Sequence, residues 1–496
     1  MLRDLRVPIP VLARFAPLAS TFGLIVVMFG LSILVPLIVS HVLGDGAEGA
    51  YDEAVAITLV AGAVLWLASR RYSGELQVRD GFLLVAAVYL VLPIFATLPL
   101  MLQIEGLSFT DAYFEAASGF TASGASVLSD LDRLPASINL WRAQLIWMGG
   151  MGVVVLAVAI LPLLGVGGSQ VFTAETPTPM KETKLTPRIT ETAKGLWRVY
   201  LLLTVACGVA YWLAGMSAMD AVIHAFTTIG LGGFSSHDAS FGHWNSPLIE
   251  AVAIVFMLIA SINFATHFLV FRQRALAPYA RDPEAGLVVL AMLGSAILVA
   301  VFLFGHGVYD SFPTALRYAT FNVVSVASTT GYSNTDFGLW PIFAPLWMLY
   351  LCCFASSSGS TGGGIMMIRA LVLLKQSVRE FTRIVHPRAV APLRIGGNPV
   401  SNSLIFAVLA YMLVYGLTMV GLSLLLTATG LDFITAFSAV TACINNMGPG
   451  LGQVGPATTY AVLTDFQTWL CTIAMLLGRL ELFTLLVVFT PAFWRK

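Results

Sequence analysis

YATFNVVSVASTTG, Tyr318 to Gly331, has three gapless counterparts elsewhere in this chain of 496 residues. They are DAYFEAASGFTASG (Asp111 to Gly124), DAVIHAFTTIGLGG (Asp220 to Gly233) and TAFSAVTACINNMG (Thr435 to Gly448). Each copy closes on glycine and carries alanine at its second position. The fourth position is Phe114, Ile223, Phe321 and Ser438, mostly bulky and apolar. The closing glycines stand 109, 98 and 117 residues apart, a period that implies one structural unit copied four times. An apolar segment of about ten residues cannot cross a bilayer as helix and suits a re-entrant element. Irregular backbone at membrane depth is tolerated only where it is buried in protein or lines a watery cavity. Four such stretches entering from one face need a common aqueous axis.

The rest of the chain supplies the membrane part. Hydrophobic residues make up 58% of it and charged residues only 10%, with a mean hydropathy of +0.86. Charge is too scarce to cover a soluble protein of this size. Ten apolar runs are long enough to span, at about 18–43, 53–69, 80–102, 138–165, 196–216, 246–271, 285–306, 338–375, 403–428 and 463–491. The second is short and needs packing against neighbours. Of the 26 Lys and Arg, 22 fall at the termini and in alternate loops, including Arg70, Arg71, Lys184, Arg188, Arg272, Arg379 and Arg383. The other loops hold only Arg133, Arg142 and Arg317, which leaves Arg479 inside a span. The positive-inside rule therefore predicts both termini in the cytoplasm. The stretch from Leu18 to Leu43 is too long for a signal-peptide core and lacks a cleavage motif. Five cysteines without regular spacing argue against a disulfide framework and a zinc site.

Each unit thus reads as helix, half-length helix, glycine-bearing extended stretch and second helix. The extended stretches are ASGAS (Ala122 to Ser126), LGGFS (Leu231 to Ser235), TTGYS (Thr329 to Ser333) and NMGPG (Asn446 to Gly450), none with a charged side chain. Backbone carbonyls are then the available cation ligands. Potassium filters use four TVGYG loops whose carbonyl oxygens replace the hydration shell, and TTGYS comes nearest to that pattern. Glycine reaches dihedrals that a side chain would penalise. The half-helix before it aims its partly negative end at the ion. A single glycine after an apolar half-helix is also a routine helix cap; four aligned copies between spans favour a filter. The candidate ion-binding residues are Ala122, Ser123 and Gly124; Leu231, Gly232 and Gly233; Thr329, Thr330 and Gly331; and Asn446, Met447 and Gly448.

Two further features stand out. The eighth run would be about 55 Å long as one helix at 1.5 Å per residue, so it must break. Its middle, ASSSGSTGGG (Ala355 to Gly364), favours non-helical backbone, although small residues also pack helices closely. No G-K-[ST] follows, so a nucleotide loop is not expected there. LGVGGS near Gly165 has no strand context and reads as a helix end. Arg479 lies mid-span, where an unpaired arginine costs at least about 2.5–3.5 kcal/mol. It faces either the ion path or a salt-bridge partner on another helix. Glu481, on a different helical face, is not the obvious partner.

The sequence resembles the membrane subunit of Trk-type potassium uptake systems, in the Trk/Ktr/HKT superfamily. The resemblance rests on GGMGVVVLAVAILPLLGVGG (from Gly149), KLTPRITETAK (from Lys184), GGFSSHDAS (from Gly232), GSTGGG (from Gly359), NNMGPGLG (from Asn445) and LGRLELFTLLVVFTPAFWR (from Leu477). It implies an all-α integral membrane protein: an N-terminal two-helix element (1–75) and four helix–pore-loop–helix repeats (76–172, 173–275, 276–396 and 397–496) around a central pore. It also implies K⁺ as the transported ion and no organic cofactor. It further implies a dimer in the bacterial inner membrane, in contact with lipid, and a cytoplasmic TrkA-like nucleotide-binding regulator. By the same resemblance Gly362, Gly363 and Gly364 belong to an intramembrane loop obstructing the inner pore, and Arg479 faces the ion path. Ala122 and Leu231 replace hydroxyl residues frequent in the family, and Met366 replaces a basic one.

Two rival functions remain open to the sequence. Proton- or sodium-coupled symport needs titratable residues along the path, and the filter stretches have none. A membrane enzyme needs paired carboxylates, or a serine with a base, at membrane depth. Asp111, Asp220 and Asp432 instead stand at the starts of half-helices, where capping is the simpler role.

Overall fold

The computed structural model describes residues 11–71, 78–152, 189–389 and 391–495. Among the described residues the regular structure is helical apart from a two-stranded hairpin, Arg394–Ile395 against Asn398–Pro399. At the N-terminus α1 (Val11–Ser32), α2 (Leu34–Leu43) and α3 (Glu48–Ser69) form the leading element, with α1 packed along α3. At 22 residues α3 is longer than the short second run expected, because it starts five residues earlier, at Glu48. Four further long helices follow in sequence: α4 (Val78–Gln103), α7 (Ile189–Leu213), α11 (Ala285–Gly305) and α15 (Asn402–Ala428).

Each of these is followed by a short helix: α5 (Phe109–Phe120), α8 (Ala218–Gly230), α12 (Phe312–Ala327) and α16 (Phe433–Ile444). After each extended stretch comes a second helix: α6 (Ala136–Gly150), α9 (Pro247–Ala260), α13 (Phe343–Cys352) and α17 (Asp465–Arg479). The short helices start where a cap satisfies their orphan amides. Ser108, Ser217 and Ser311 Oγ accept the amides of Asp111, Asp220 and Thr314, and Asp432 accepts that of Thr435. Of the three aspartates expected as caps, only Asp432 is one. Asp111 and Asp220 sit three residues further in and accept the cap serine's hydroxyl.

Packing closes these eight helices into a ring. In order round it, α5 contacts α6, then come α8, α9, α12, α13, α16 and α17, and α17 returns to α5. Each short helix is therefore wedged between its own second helix and that of the preceding unit. The fourth repeat position is buried in each, with Phe114, Ile223, Phe321 and Ser438 no more than 1% exposed.

Among the described residues, six helices are long and apolar enough to cross a membrane, and two bent pairs raise this to eight. The bent pairs correct the continuous runs expected at 246–271 and 463–491. The chain turns by 92° between α9 and α10 (Phe264–Gln273), where Asn263 caps the new helix. It turns by 103° after α17, where Glu481 and Leu482 both take positive φ before α18 (Phe483–Leu486). The eighth run breaks as its length requires, into α13 and α14 (Met367–Val385). The run at 138–165 is described only to Gly152. Arg3, Arg6, Lys181, Lys184, Arg188, LGVGGS, residues 153–168 of the motif from Gly149 and residues 184–188 of the motif from Lys184 lie outside the described residues.

Candidate ion pathway

The four glycine stretches share one backbone conformation. Ala122, Leu231, Thr329 and Asn446 are all left-handed, with φ of 53°, 52°, 61° and 52°. Two residues on, Gly124, Gly233, Gly331 and Gly448 have φ of 78°, 64°, 90° and 98°. Non-glycine residues rarely adopt this region, so four occurrences at one aligned position reflect a constraint common to all four units.

Neighbouring stretches then touch in rotation. A methyl group on Gly124 would lie 1.9 Å from the carbonyl oxygen of Gly232. One on Gly233 would lie 2.1 Å from that of Thr330, and one on Gly331 2.1 Å from that of Met447. One on Gly448 would lie 3.0 Å from that of Ser123, which closes the circle. In every case the closing glycine abuts the residue just before the next unit's glycine. All twelve candidate residues thus belong to one four-part ring.

Polar side chains brace this ring from behind, and most of them were not expected. Glu115 accepts the amide of Val127 (3.0 Å) and the hydroxyl of Ser126 (3.0 Å). His224 Nε2 bonds Ser235 Oγ at 2.9 Å, and Asn322 Nδ2 donates to Asn334 Oδ1 at 2.6 Å. These three occupy the same position of the repeat, and each grips the chain just past its glycine. In the fourth unit that position is Ala439, and Ser438 Oγ accepts the amide of Leu451 instead. Tyr332, from TTGYS, is fully buried and reaches Thr227 Oγ1 (2.5 Å) and Thr228 Oγ1 (3.1 Å) of the second unit.

Two arginines assigned to loops sit in helices. Arg142 lies on α6, 1% exposed, and its Nε donates to Glu115 Oε1 at 2.8 Å. Its Nη1 also donates to the Ser235 carbonyl (3.1 Å), so one guanidinium ties the first stretch to the second. Arg317 lies on α12 and pairs with Glu250 at 2.8 Å. An arginine within an apolar run was the available signal for Arg142, as it was for Arg479.

Inside the ring, residues 353–366 cross beneath the short helices. Gly363 N donates to Thr329 Oγ1 at 2.9 Å, and Thr361 Oγ1 donates to the Ile229 carbonyl at 2.8 Å. A methyl on Gly363 would meet the Asn445 carbonyl at 2.2 Å, and one on Gly362 the Ser328 carbonyl at 3.2 Å. Gly364 has φ +88°, and Met366, in the rare conformation φ 73°, ψ 148°, precedes α14. The loop therefore lies against the C-terminal ends of α8, α12 and α16, on the side away from their capped starts. Arg479, at the end of α17, donates to the carbonyls of Thr361 (3.0 Å), Gly149 (2.5 Å) and Gly150 (3.1 Å). Glu481 pairs with Arg369 at 2.6 Å instead.

This arrangement has close relatives. The family model described as "TrkH: Cation transport protein" matches residues 50–496. The Trk system potassium uptake protein TrkH of Halomonas elongata is 46% identical, over 96% of this chain and 98% of that protein. Its namesake in Salmonella typhimurium is 43% identical, over 97% of this chain and 100% of that protein. The crystal structure of the potassium transporter TrkH from Vibrio parahaemolyticus superposes with a TM-score of 0.88 at 41% identity, covering 97% of this chain and all of that one. On these grounds, the chain belongs to the TrkH family of cation transport proteins.

Proposed function

We propose that the chain conducts K⁺ into the cell, down its electrochemical gradient, through a selectivity filter formed by the four glycine stretches. The observation that carries this reading is the rotation of glycine-to-carbonyl contacts from Gly124 through Gly233 and Gly331 to Gly448. A ring of uncharged backbone at membrane depth offers a dehydrating cation carbonyl oxygens and little else. The potassium uptake named for the relatives above supports the choice of ion.

On this reading the loop at 353–366 is the gate, held shut from Thr329 and Arg479. The opening signal comes from a cytoplasmic, TrkA-like, nucleotide-binding partner that docks on the basic loops. Both termini and those loops face the cytoplasm across the bacterial inner membrane. The protein works as a homodimer; the exposed stripe Leu374, Val378, Phe381 and Val385 on α14 offers an apolar face to a second copy or to lipid.

The test is flux into liposomes containing only this protein. Radioactive Rb⁺, as the potassium congener, is expected to enter faster than radioactive Na⁺ under equal gradients. Equal rates for the two ions would reject the filter.

A further inference from the structure

We propose that the outer mouth of this protein carries a site for a borderline-soft divalent metal such as Zn²⁺, built from Asp132, His237 and His243, and that its occupancy slows cation entry. The first ligand comes from the segment between the first glycine stretch and α6, the other two from the segment after the second stretch. One donor atom from each lies within 4.8 Å of the others. The edges of a tetrahedral zinc site are about 3.4 Å for bonds near 2.0–2.1 Å, so small side-chain movements close the set. The movement is available, since Asp132 and His243 are exposed.

The donors are gathered, and a tilt of one ring brings them onto one ion. The two imidazoles lie face to face, with ring centroids 3.6 Å apart and planes 9° from parallel, so the exposed His243 ring must rotate for both in-plane lone pairs to converge. Trp244 packs edge-on against both, at 5.0 Å. His237 turns Nδ1 toward the Asp132 carboxylate and Nε2 toward Asp220 Oδ1, 3.4 Å away. A metal-bound imidazole whose far nitrogen meets a carboxylate has its tautomer and orientation fixed, the usual support for such sites. The Asp238 amide donates to Asp132 Oδ2 (3.3 Å), and its carboxylate accepts the Leu131 amide (2.9 Å), locking one segment to the other. Two imidazoles with one carboxylate favour Zn²⁺, Cu²⁺ or Ni²⁺ over Mg²⁺ or Ca²⁺, and leave one position for water.

The site's place gives it a consequence. His237 is four residues past Gly233, and Asp220 lies in the first turn of α8, at the end remote from the intramembrane loop. A divalent charge fixed there repels incoming cations and attracts Asp220 in the first turn of the second unit's half-helix. This consequence, unlike the binding itself, rests on reading the ring as the ion path.

The test uses the full protein in detergent and in liposomes. Equilibrium dialysis with radioactive Zn²⁺ is expected to give one site per chain. His243→Ala, an exposed change, should abolish it, and Asp220→Asn should weaken it by about tenfold or more. External Zn²⁺ should slow Rb⁺ uptake by the unaltered protein, a chelator should restore it, and His243→Ala should be insensitive. Substoichiometric binding, or binding undiminished in both His243→Ala and Asp132→Asn, overturns the site. Binding without slower uptake overturns its regulatory part. Absence of Rb⁺ uptake even in metal-free buffer counts against the conduction reading and leaves the dialysis result to stand alone.

Discussion

Arg479 Nη1 donates to the carbonyl oxygen of Thr361 across 3.0 Å, joining the last helix of the ring to the loop at 353–366. Its other terminal nitrogen holds Gly149 and Gly150. Among the described residues three carbonyls and no carboxylate receive this guanidinium, so on the conduction reading proposed above its positive charge stands uncompensated in the ion path. Arg479→Ala should raise basal Rb⁺ uptake severalfold, since it removes both a repelling charge and a tether. Arg479→Lys keeps the charge without the planar fork and should lie between the two. Uptake by Arg479→Ala at or below that of the unaltered protein would make the residue a scaffold alone.

Gly331 is constrained both in dihedral and in space. It has φ +90°, and a methyl there would stand 2.1 Å from the Met447 carbonyl oxygen and 2.9 Å from Pro449 Cδ. A side chain meets forbidden dihedrals and backbone that cannot yield. Gly331→Ser should therefore weaken discrimination of Rb⁺ over Na⁺ while the protein still reaches the membrane. An unchanged flux ratio in the variant would remove Gly331 from the filter.

How far the sequence went is seen by comparing these positions. The glycines were legible because all four units need the same backbone, so the same residue recurs at a countable spacing. The break in the third unit was legible from length, since no bilayer accommodates residues 338–375 as one helix. The bends after Ala260 and Arg479 were not. Neither Ser261–Asn263 nor Leu480–Leu482 carries a glycine or proline, and apolar residues resume beyond each. The braces behind the ring were hidden for another reason. Glu115, His224 and Asn322 do one job with three chemistries, so alignment shows no shared residue there. Their partners are fixed only once the chain has turned back past each glycine.

Glu284 holds the loop from its other side. Its Oε1 accepts the amides of Ser358 (3.0 Å) and Ile368 (2.9 Å), and its Oε2 accepts the Ser358 hydroxyl (2.5 Å). One buried carboxylate thus clips the loop to the first turn of α14. Glu284→Gln replaces one acceptor oxygen with a donor and should cost about 1–3 kcal/mol. The expected signs are raised basal Rb⁺ uptake and a lower melting temperature. Deletion of Gly362 to Gly364 should raise uptake further. Basal uptake unchanged in both variants would show that the loop does not obstruct the pathway.

Asp45, in the turn between α2 and α3, makes stability depend on acid. Burial raises its pKa, but hydrogen bonds from Ser40 Oγ (2.5 Å) and the Ser137 amide (2.9 Å) outweigh this and leave it below the ordinary value. The folded pKa is thus lower than the unfolded one, near 3.9. Its contribution is complete above that value and is lost as pH falls through the folded pKa. Asp45→Asn should lower the melting temperature at pH 7, and the difference from the unaltered protein should shrink toward pH 3. A difference independent of pH would assign the effect to packing.

The pair Glu115–Arg142 braces the ring of glycine stretches across two units. Both side chains are essentially inaccessible, 1% or less, and the closest approach is 2.8 Å. Arg142 also packs over the Phe234 ring, with Cζ 4.3 Å from its centroid. Glu115 grips the first stretch and Arg142 reaches the carbonyl of Ser235 in the second, so the pair spans two units. Removing one partner strands a buried charge, which costs about 3–5 kcal/mol. Arg142→Leu and Glu115→Leu should each lower stability by that amount. The double variant leaves no stranded charge and should recover a large part of the loss. Recovery of stability need not restore function, because the cross-unit bond to Ser235 is still absent. The double variant is therefore expected to fold and to conduct with a reduced Rb⁺/Na⁺ ratio. Wild-type selectivity in a stably folded double variant would show that the ring keeps its geometry without this brace. Strictly additive destabilisation in the thermal melts would show that the two residues do not act as a pair.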